Sequence, residues 1–456
     1  MKQRLLASFG KTAVLRILSI FIATAIIGYL TRTLDKGSFA AFGGLLALSA
    51  ILSGLQLMGG QVMVARLAAE RRAEERLGAL KGDVAQAIVL TLPPTLLIIS
   101  ASFFLGPNAF GISLAGENYR LIWIASAVFF VFIGWNILFA EALRGLDRPA
   151  MAVLMTGLGQ QGGALRAFVL GGLLVSVGAF GTTTLASTMT LMAVSSIFST
   201  IATLMLLRWL LHPHGVEPFS LVPDCTKRVA SYTLLVGTLL QTLVNGSAAI
   251  IAANFAGIGN QLAFLIVALQ LGNFLQAPQT LVNGVLPAPI IEASRSSDRD
   301  ALQLLLRFAS SLVFWATLVV VALIATNGRT VFGMIYGAEY AAAARPFMIL
   351  AAGYLVNAYM GSSARSLMLL GKEQAHAHAS MAIASIALPA YYVAALWFGV
   401  DGLALAISLV LVLQNLAYFA LLRAEVGVYS NAMLKPDRAT LQRGLALIKR
   451  RKGGRQ

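Results

Sequence analysis

The sequence predicts an all-α polytopic membrane protein, with about 12 transmembrane helices in two six-helix bundles related by pseudo-two-fold symmetry. Three observations carry this. The 456 residues are 58% hydrophobic and 11% charged, with a mean hydropathy of +0.80, a composition outside the soluble globular range. The apolar residues fall into runs of about 20 or more, long enough to cross a bilayer. The Lys and Arg residues collect in alternate short loops, which is the topology signal of membrane insertion.

Twelve runs read as spans, at approximately 12–31, 39–64, 84–105, 121–141, 151–178, 181–207, 230–255, 258–286, 308–326, 346–369, 379–399 and 402–422. The first follows a basic start (Lys2, Arg4, Lys11) and has no small-residue cleavage site after it, so it reads as a retained helix. Of the 34 Lys and Arg, 27 lie at the N-terminus, in the loops after even-numbered spans and in the tail, with Arg365 at the end of span 10 counted among them. Five lie in the loops after odd-numbered spans, and Arg16 and Arg166 lie inside spans. Both termini are therefore expected in the cytoplasm. The net charge of +16 is explained by this distribution, so nucleic acid is not an expected partner.

The halves repeat. Phe110-Gly111 before span 4 recurs as Phe332-Gly333 before span 10, Glu117 as Glu339, and Ala41-Phe42 as Ala263-Phe264, all at an offset of 222. Leu143 to Asp147 after span 4 answers Leu369 to Glu373 after span 10 at 226, and Gly181 answers Gly402 at 221. Each half holds six spans, so both insert the same way up and are expected to be related by an axis along the membrane normal. The expected domains are 1–215, 216–424 and a basic tail, 425–456, whose residues 437–452 can form an amphipathic helix on anionic lipid. Residues 66–79 read as a charged helix with Glu–Arg pairs at three- and four-residue spacing.

Span 5 carries Arg166 near its middle. An arginine at that depth costs about 2.5–3.5 kcal/mol on insertion scales, so it faces protein or water rather than lipid. On a helix Gly159, Gly162 and Gly163 share its face. Two readings follow: a cationic cavity for an anionic cargo, or a structural arginine satisfied by carbonyls. Arg16 lies a turn inside span 1 and either faces the same cavity or snorkels to the interface. Amides form a second set. Gln241 and Asn245 sit four apart in span 7; span 8 carries Gln270, Asn273, Gln276, Gln279 and Asn283, interrupted by Pro278. Five amides spread over half a helix point to water or a polar ligand, the alternative being hydrogen bonds between helices. Gln160, Gln161 and Asn357 are weaker members. Glu141, at the end of span 4, is a candidate for ion coupling or an interfacial helix-end charge. Pro93-Pro94, Pro278 and Pro389 are candidate hinges.

No phosphate-binding loop, nucleophile elbow or zinc helix motif is present, so binding and release are expected in place of covalent chemistry, with no cofactor and no metal. The four histidines read as solvated loop residues, and the single Cys225 excludes an intramolecular disulfide.

Twelve spans in two parallel halves, the F-G…G-x-E-Y segment before span 10 and the L-L-G-K sequence after it resemble the Wzx-like polysaccharide flippases. These belong to the multidrug/oligosaccharidyl-lipid/polysaccharide (MOP) exporter superfamily. The resemblance implies paired helical bundles around a cavity that opens alternately to each side. It also implies a cargo of undecaprenyl-diphosphate-linked oligosaccharide moved to the periplasmic leaflet, with membrane lipids, a polysaccharide polymerase and chain-length proteins as partners. Lipid II flippases of the superfamily usually have fourteen spans. Its drug exporters often carry an acid deep in span 1, where this chain has Arg16. The alternative is a MATE-like small-molecule antiporter. A membrane-embedded polymerase is disfavoured by the short outward loops, the longest lying around 327–345.

Overall fold

The computed structural model describes residues 2–114, 118–156, 164–215, 217, 239–240, 243–286, 289–290, 293–294 and 299–434. Among them the chain is all helical: fourteen α-helices with short 3₁₀ and π turns, and no strand. Nine of the helices are long and apolar enough to cross a membrane. The order is α1 (Lys2–Thr33), α2 (Lys36–Leu57), α3 (Gly60–Ala73), α4 (Leu77–Phe104), α5 (Tyr119–Gly145), α6 (Pro149–Thr156), α7 (Ala164–Phe180) and α8 (Leu185–Leu211). It continues with α9 (Ala248–Phe255), α10 (Leu262–Val285), α11 (Arg299–Tyr336), α12 (Ala344–Met360), α13 (Ser363–Leu369) and α14 (Glu373–Val426).

The twelve expected spans map onto these elements. Spans 1 to 4 are α1, α2, α4 and α5. Span 5 is α6 and α7, with residues 157–163 between them outside the described part. Span 6 is α8. The described end of span 7 is a π turn, Leu243–Ser247, running into α9. Spans 8, 9 and 10 are α10, α11 and α12–α13. Spans 11 and 12 are the two arms of α14, separated at Gly399, whose φ of 61° and ψ of −145° break the helix.

Local chemistry sets several ends. Asp35 caps α2 by accepting from the Ser38 amide at 3.0 Å. Thr184 and Ser187 form a reciprocal capping box at α8. Span 2 was expected to run to residue 64. It stops at Leu57 because Met58 and Gly59 both take left-handed backbone conformations, and α3 starts anew. The sequence repeat appears as a repeated helix break. In the first half α4 ends at Phe104, Leu105 leaves the helix, and a 3₁₀ turn covers Pro107–Phe110. Residue 105 plus 222 is Asn327, the one non-helical position inside α11, at φ −133° and ψ 21°.

The chain divides into two compact units. The first is Val14–Ile266. Its centre is α5, packed along α8, α3 and α2, with Phe129, Phe130, Leu138 and Leu143 wholly buried. A polar seam joins α5, α6 and α8. The Asn136 amide donates to Ser199 at 3.0 Å and Thr203 at 3.1 Å, Ser199 donates to the Met155 carbonyl, and Thr200 to that of Phe132. Each such bond is worth roughly 0.6 kcal/mol between membrane helices. At the arginine-rich end α3 closes the unit through ion pairs: Arg71 with Asp83 at 2.9 Å, Arg72 with Asp147 at 3.0 Å, and Arg66 with Glu70 at 2.9 Å. The charged helix expected over 66–79 reaches only Ala73, because Glu75 takes a left-handed backbone at φ 59° and α4 starts at Leu77; α3 is tied to α4 through Asp83 and to the loop after α5 through Asp147.

The second unit is Val267–Gln456 with Met1–Ala13. Phe332, Tyr336, Tyr340, Phe347 and Tyr391 are wholly buried in it, with the Phe332 and Phe347 rings 5.5 Å apart, edge to face. Span 10 is broken. Gly361, at φ +73°, ends α12, and α13 starts two residues on. The segment after α14 is extended and docks against that break. Val428, Ser430 and Ala432 point inward and are buried. The Ala432 amide donates to the Tyr359 carbonyl at 2.7 Å, Ser430 Oγ to that of Met360 at 2.8 Å, and the Met433 amide to Ser311 Oγ at 2.7 Å. The first two bonds satisfy carbonyls that the helix break leaves without intrahelical partners, and the third fixes the segment to α11.

Candidate functional site

Arg166 is the third residue of α7 in the first unit. Its side chain is 2% exposed, with the guanidinium carbon 5.3 Å from the centre of the Phe129 ring of α5. A cation over a desolvated aromatic face gains about 2 kcal/mol. Arg16 is 8% exposed on α1, and its buried Nε meets no acceptor among the described residues. Arg16 is thus packed within the protein in this conformation.

α1 and α7 are neighbours. Ile26 lies against Gly171, and Tyr29 hydrogen-bonds Thr183 at 2.8 Å while its hydroxyl presses on Gly178, where a Cβ would collide with it. Contacts that advance together along both chains mean the helices run parallel. Arg16 then lies ten residues before Ile26, and Arg166 five before Gly171. The two cations thus sit on helices that touch each other through side chains. Gly159, Gly162, Gly163, Gln160, Gln161 and Gln241 lie outside the described residues, and of Asn245 only the backbone, in the π turn, is described. A π turn inside a span is a frequent mark of functional helices.

The amides of span 8 belong to the second unit, where most of them hold α10 to span 10. Gln270 is buried, and Asn273 donates to it at 3.4 Å. Gln276 hydrogen-bonds the Tyr354 phenol. Gln279 Nε2 donates to Ser362 Oγ at 2.8 Å, and that hydroxyl donates onward to Asn283 Oδ1 at 2.6 Å. Ser362 sits in the break of span 10, so two of the five amides meet the chain where it leaves the helix. The buried Oε1 of Gln279 has no donor in the structure. Asn357 is half-buried on α12.

Glu141 is half-buried on α5 and ion-paired with Arg144 one turn on, the arrangement of a helix-end charge. Three of the four histidines are exposed or half-exposed. His376 departs from the expectation of solvated loop residues: it is 2% exposed and stacked on Tyr418, ring centres 4.8 Å apart. α14 begins at Glu373, six residues before the expected start of span 11, and takes His376 inside. Among the described residues no three His, Cys, Asp or Glu side chains converge to hold a metal. Sequence reasoning missed Phe129 beneath Arg166, the break at Gly361 and the docked segment after α14. The period-two burial of Val428, Ser430 and Ala432 is the signal that marks the last of these.

The fold is that of the MOP superfamily transporters. No protein-family model matches the chain, and no curated protein matches it. Solved structures do. The lipid II flippase MurJ in an inward closed conformation superposes with a TM-score of 0.66 at 14% identity, over 97% of this chain and 91% of that one. An inward-facing multidrug resistance MATE family transporter gives 0.62 at 16% identity, over 91% and 94%. A MOP superfamily transporter from Pyrococcus furiosus, described as having a binding pocket of reversed polarity, gives 0.63 at 13% identity, over 92% and 95%.

Proposed function

We propose that this chain is a flippase for a lipid-linked oligosaccharide, carrying an undecaprenyl-diphosphate-linked repeat unit from the cytoplasmic to the periplasmic leaflet of a bacterial inner membrane by alternating access. The observation that carries it is the pair of buried arginines, Arg16 and Arg166, on adjacent helices of a MOP-fold chain. Guanidinium groups match the geometry of diphosphate oxygens, and a dry site strengthens their attraction. Amides serve the sugar hydroxyls, and the prenyl tail remains in lipid. Arg166 and Arg16, with Gln241, Asn245, Gln270, Asn273, Gln276, Gln279 and Asn283, are the proposed substrate contacts. The halves 1–215 and 216–424 are the proposed moving bodies. In the conformation described Arg166 is covered, so it meets cargo when α7 and α5 part.

MATE-like antiport of a small organic cation shares the fold. Arg16 in span 1 repels such a cargo, which supports the anionic reading. The test is a deletion strain. Loss of the protein should cause lipid-linked sugar to accumulate on the cytoplasmic leaflet, measured by extraction and by access to an impermeant glycosidase. Unchanged lipid-linked sugar together with raised sensitivity to cationic dyes would replace this reading with drug export.

A further inference from the structure

Four carboxylates within or beside the described spans are ion-paired: Asp83 with Arg71, Glu141 with Arg144, Asp401 with Arg345 at 3.1 Å and Glu425 with Lys372 at 2.9 Å. A buried imidazole stands apart from these pairs. His376 is buried at the base of the two arms of α14, where its ring stacks on Tyr418 at an interplanar angle of 15°. The hydrogen bonds around it have a consistent direction. Ser380 Oγ donates to the His376 carbonyl at 2.8 Å, which leaves the Tyr418 hydroxyl to donate to Ser380 at 2.8 Å while it accepts from Gln414 Nε2 at 3.1 Å. Every proton in this chain of bonds is placed, and none of them goes to the ring. Among the described residues His376 Nε2 is buried without a hydrogen-bond partner.

That geometry fits one protonation state. A neutral ring with its hydrogen on Nδ1 leaves a lone pair on Nε2, an acceptor with nothing to accept. A second proton would put an N–H and a full charge there with no acceptor and no counter-ion, and an unpaired buried ion costs several kcal/mol. The charged groups on the packed elements do not compensate. Lys372, Arg423, Arg299, Arg307 and Arg365 outnumber Glu373, Glu425 and Asp300, Glu425 is taken by Lys372, and Arg423 lies over Tyr429. The ring also contacts the core that closes this end of the second unit. Tyr418 belongs to a buried cluster with Leu302, Leu306, Leu367 and Leu422, and Val428 of the docked segment is part of it.

We propose that His376 is a proton-binding switch of the second unit: neutral and stacked in the conformation described, it takes a proton on Nε2 when the arms of α14 separate, and so couples protons to the movement of that unit. The proton comes from water and returns to it, so no other reactant is required. The inference supplies the coupling ion of the transporter proposed above, and it rests on that reading for its biological use, though not for its test. The direction is fixed by the burial. Acid favours the separated arms, alkali the stacked ones, and one titrating group shifts such a balance by up to about tenfold per pH unit.

The experiment is hydrogen–deuterium exchange on the full-length protein in lipid nanodiscs, followed from about pH 8 to about pH 5.5, across the imidazole range. After correction for intrinsic exchange, peptides covering residues 373–380 and 414–422 should open at least about tenfold more at the acid end. The α5 peptides of the first unit should stay level. His376→Gln keeps a neutral polar side chain and should flatten the acid response. His376→Phe keeps the stack and should do the same, which guards against one variant misfolding. A wild-type protein with no acid response, or either folded variant following the wild-type curve, overturns the proposal. No cargo enters this measurement. A flat response with normal accumulation of lipid-linked sugar in the deletion strain refutes the switch alone, and a clear response without that accumulation refutes the cargo alone.

Discussion

Arg166 shows how far a single side chain can be read before its surroundings are known. Its depth in span 5 required shelter from lipid, and the structure supplies it with 2% exposure and the Phe129 ring at 5.3 Å. The sequence could not name Phe129, because an aromatic 37 residues away carries no local signature of a cation partner. The functional and structural roles of the arginine separate by experiment. Arg166→Ala should cut export of surface glycan by at least about tenfold, the order expected for losing a charge-assisted contact of 1.5–3 kcal/mol. The protein level in the membrane should stay near wild type. Arg166→Lys retains the charge and loses the fork, so partial export is expected. Normal glycan at a normal protein level in Arg166→Ala would remove this residue from the mechanism. Disappearance of the protein would make the arginine a packing residue.

Helices were more legible than the places where they break. Length and hydropathy located the spans, and the 222-residue offset carried further than its matching letters, since it pairs the end of α4 at Leu105 with the kink at Asn327. The break of span 10 was hidden, because a glycine followed by two serines in an apolar run is as compatible with a continuous membrane helix as with an interruption. What decides it is tertiary. Gly361 takes a left-handed φ, and a Cβ there would collide with Ser310 Oγ. Gly361→Ala should therefore destabilise the second unit by about 1–2 kcal/mol from backbone strain alone, plus the collision. A lower melting temperature of the purified protein, with loss of the Gln279–Ser362 contact, is the expected result; an unchanged melting temperature would show that the break tolerates an ordinary helix. The amides of span 8 teach a related lesson. Their number pointed to a polar environment, and much of that environment is Tyr354 and Ser362.

For the whole molecule, the all-helical fold followed from composition and periodicity, the two parallel halves from the repeat, and the MOP likeness from the resemblance of the segments around span 10. Residues 243–266 pack on α2, with Ile266 against Gly43 and Asn254 against Gly44, and the compact units divide inside α10 at residue 266, whereas the repeat divides the sequence near 215. Sequence repeats record ancestry, whereas packing records which apolar faces are buried in one conformation. The charge bias makes a firm prediction about sidedness. In a Cys225→Ser background, Gly337→Cys should react with an impermeant maleimide added outside intact cells, and Gly371→Cys only after permeabilisation. Labelling of Gly371→Cys from outside would invert the topology.

The extended residues after α14 also affect the order in which the molecule is made. Chains emerge from the N-terminus onward, at about 5–20 residues per second, so Val428, Ser430 and Ala432 reach the membrane after all the described spans. Until they arrive, the Tyr359 and Met360 carbonyls that they serve have waited through the insertion of two further spans. A ribosome that stops at residue 426 releases a protein with every span inserted and one end unsealed, which membrane quality-control proteases should clear. One that stops at residue 434 should release a protein that survives. Pulse-chase of the two truncations reads the difference directly, and dates the completion of the second unit after the insertion of α14.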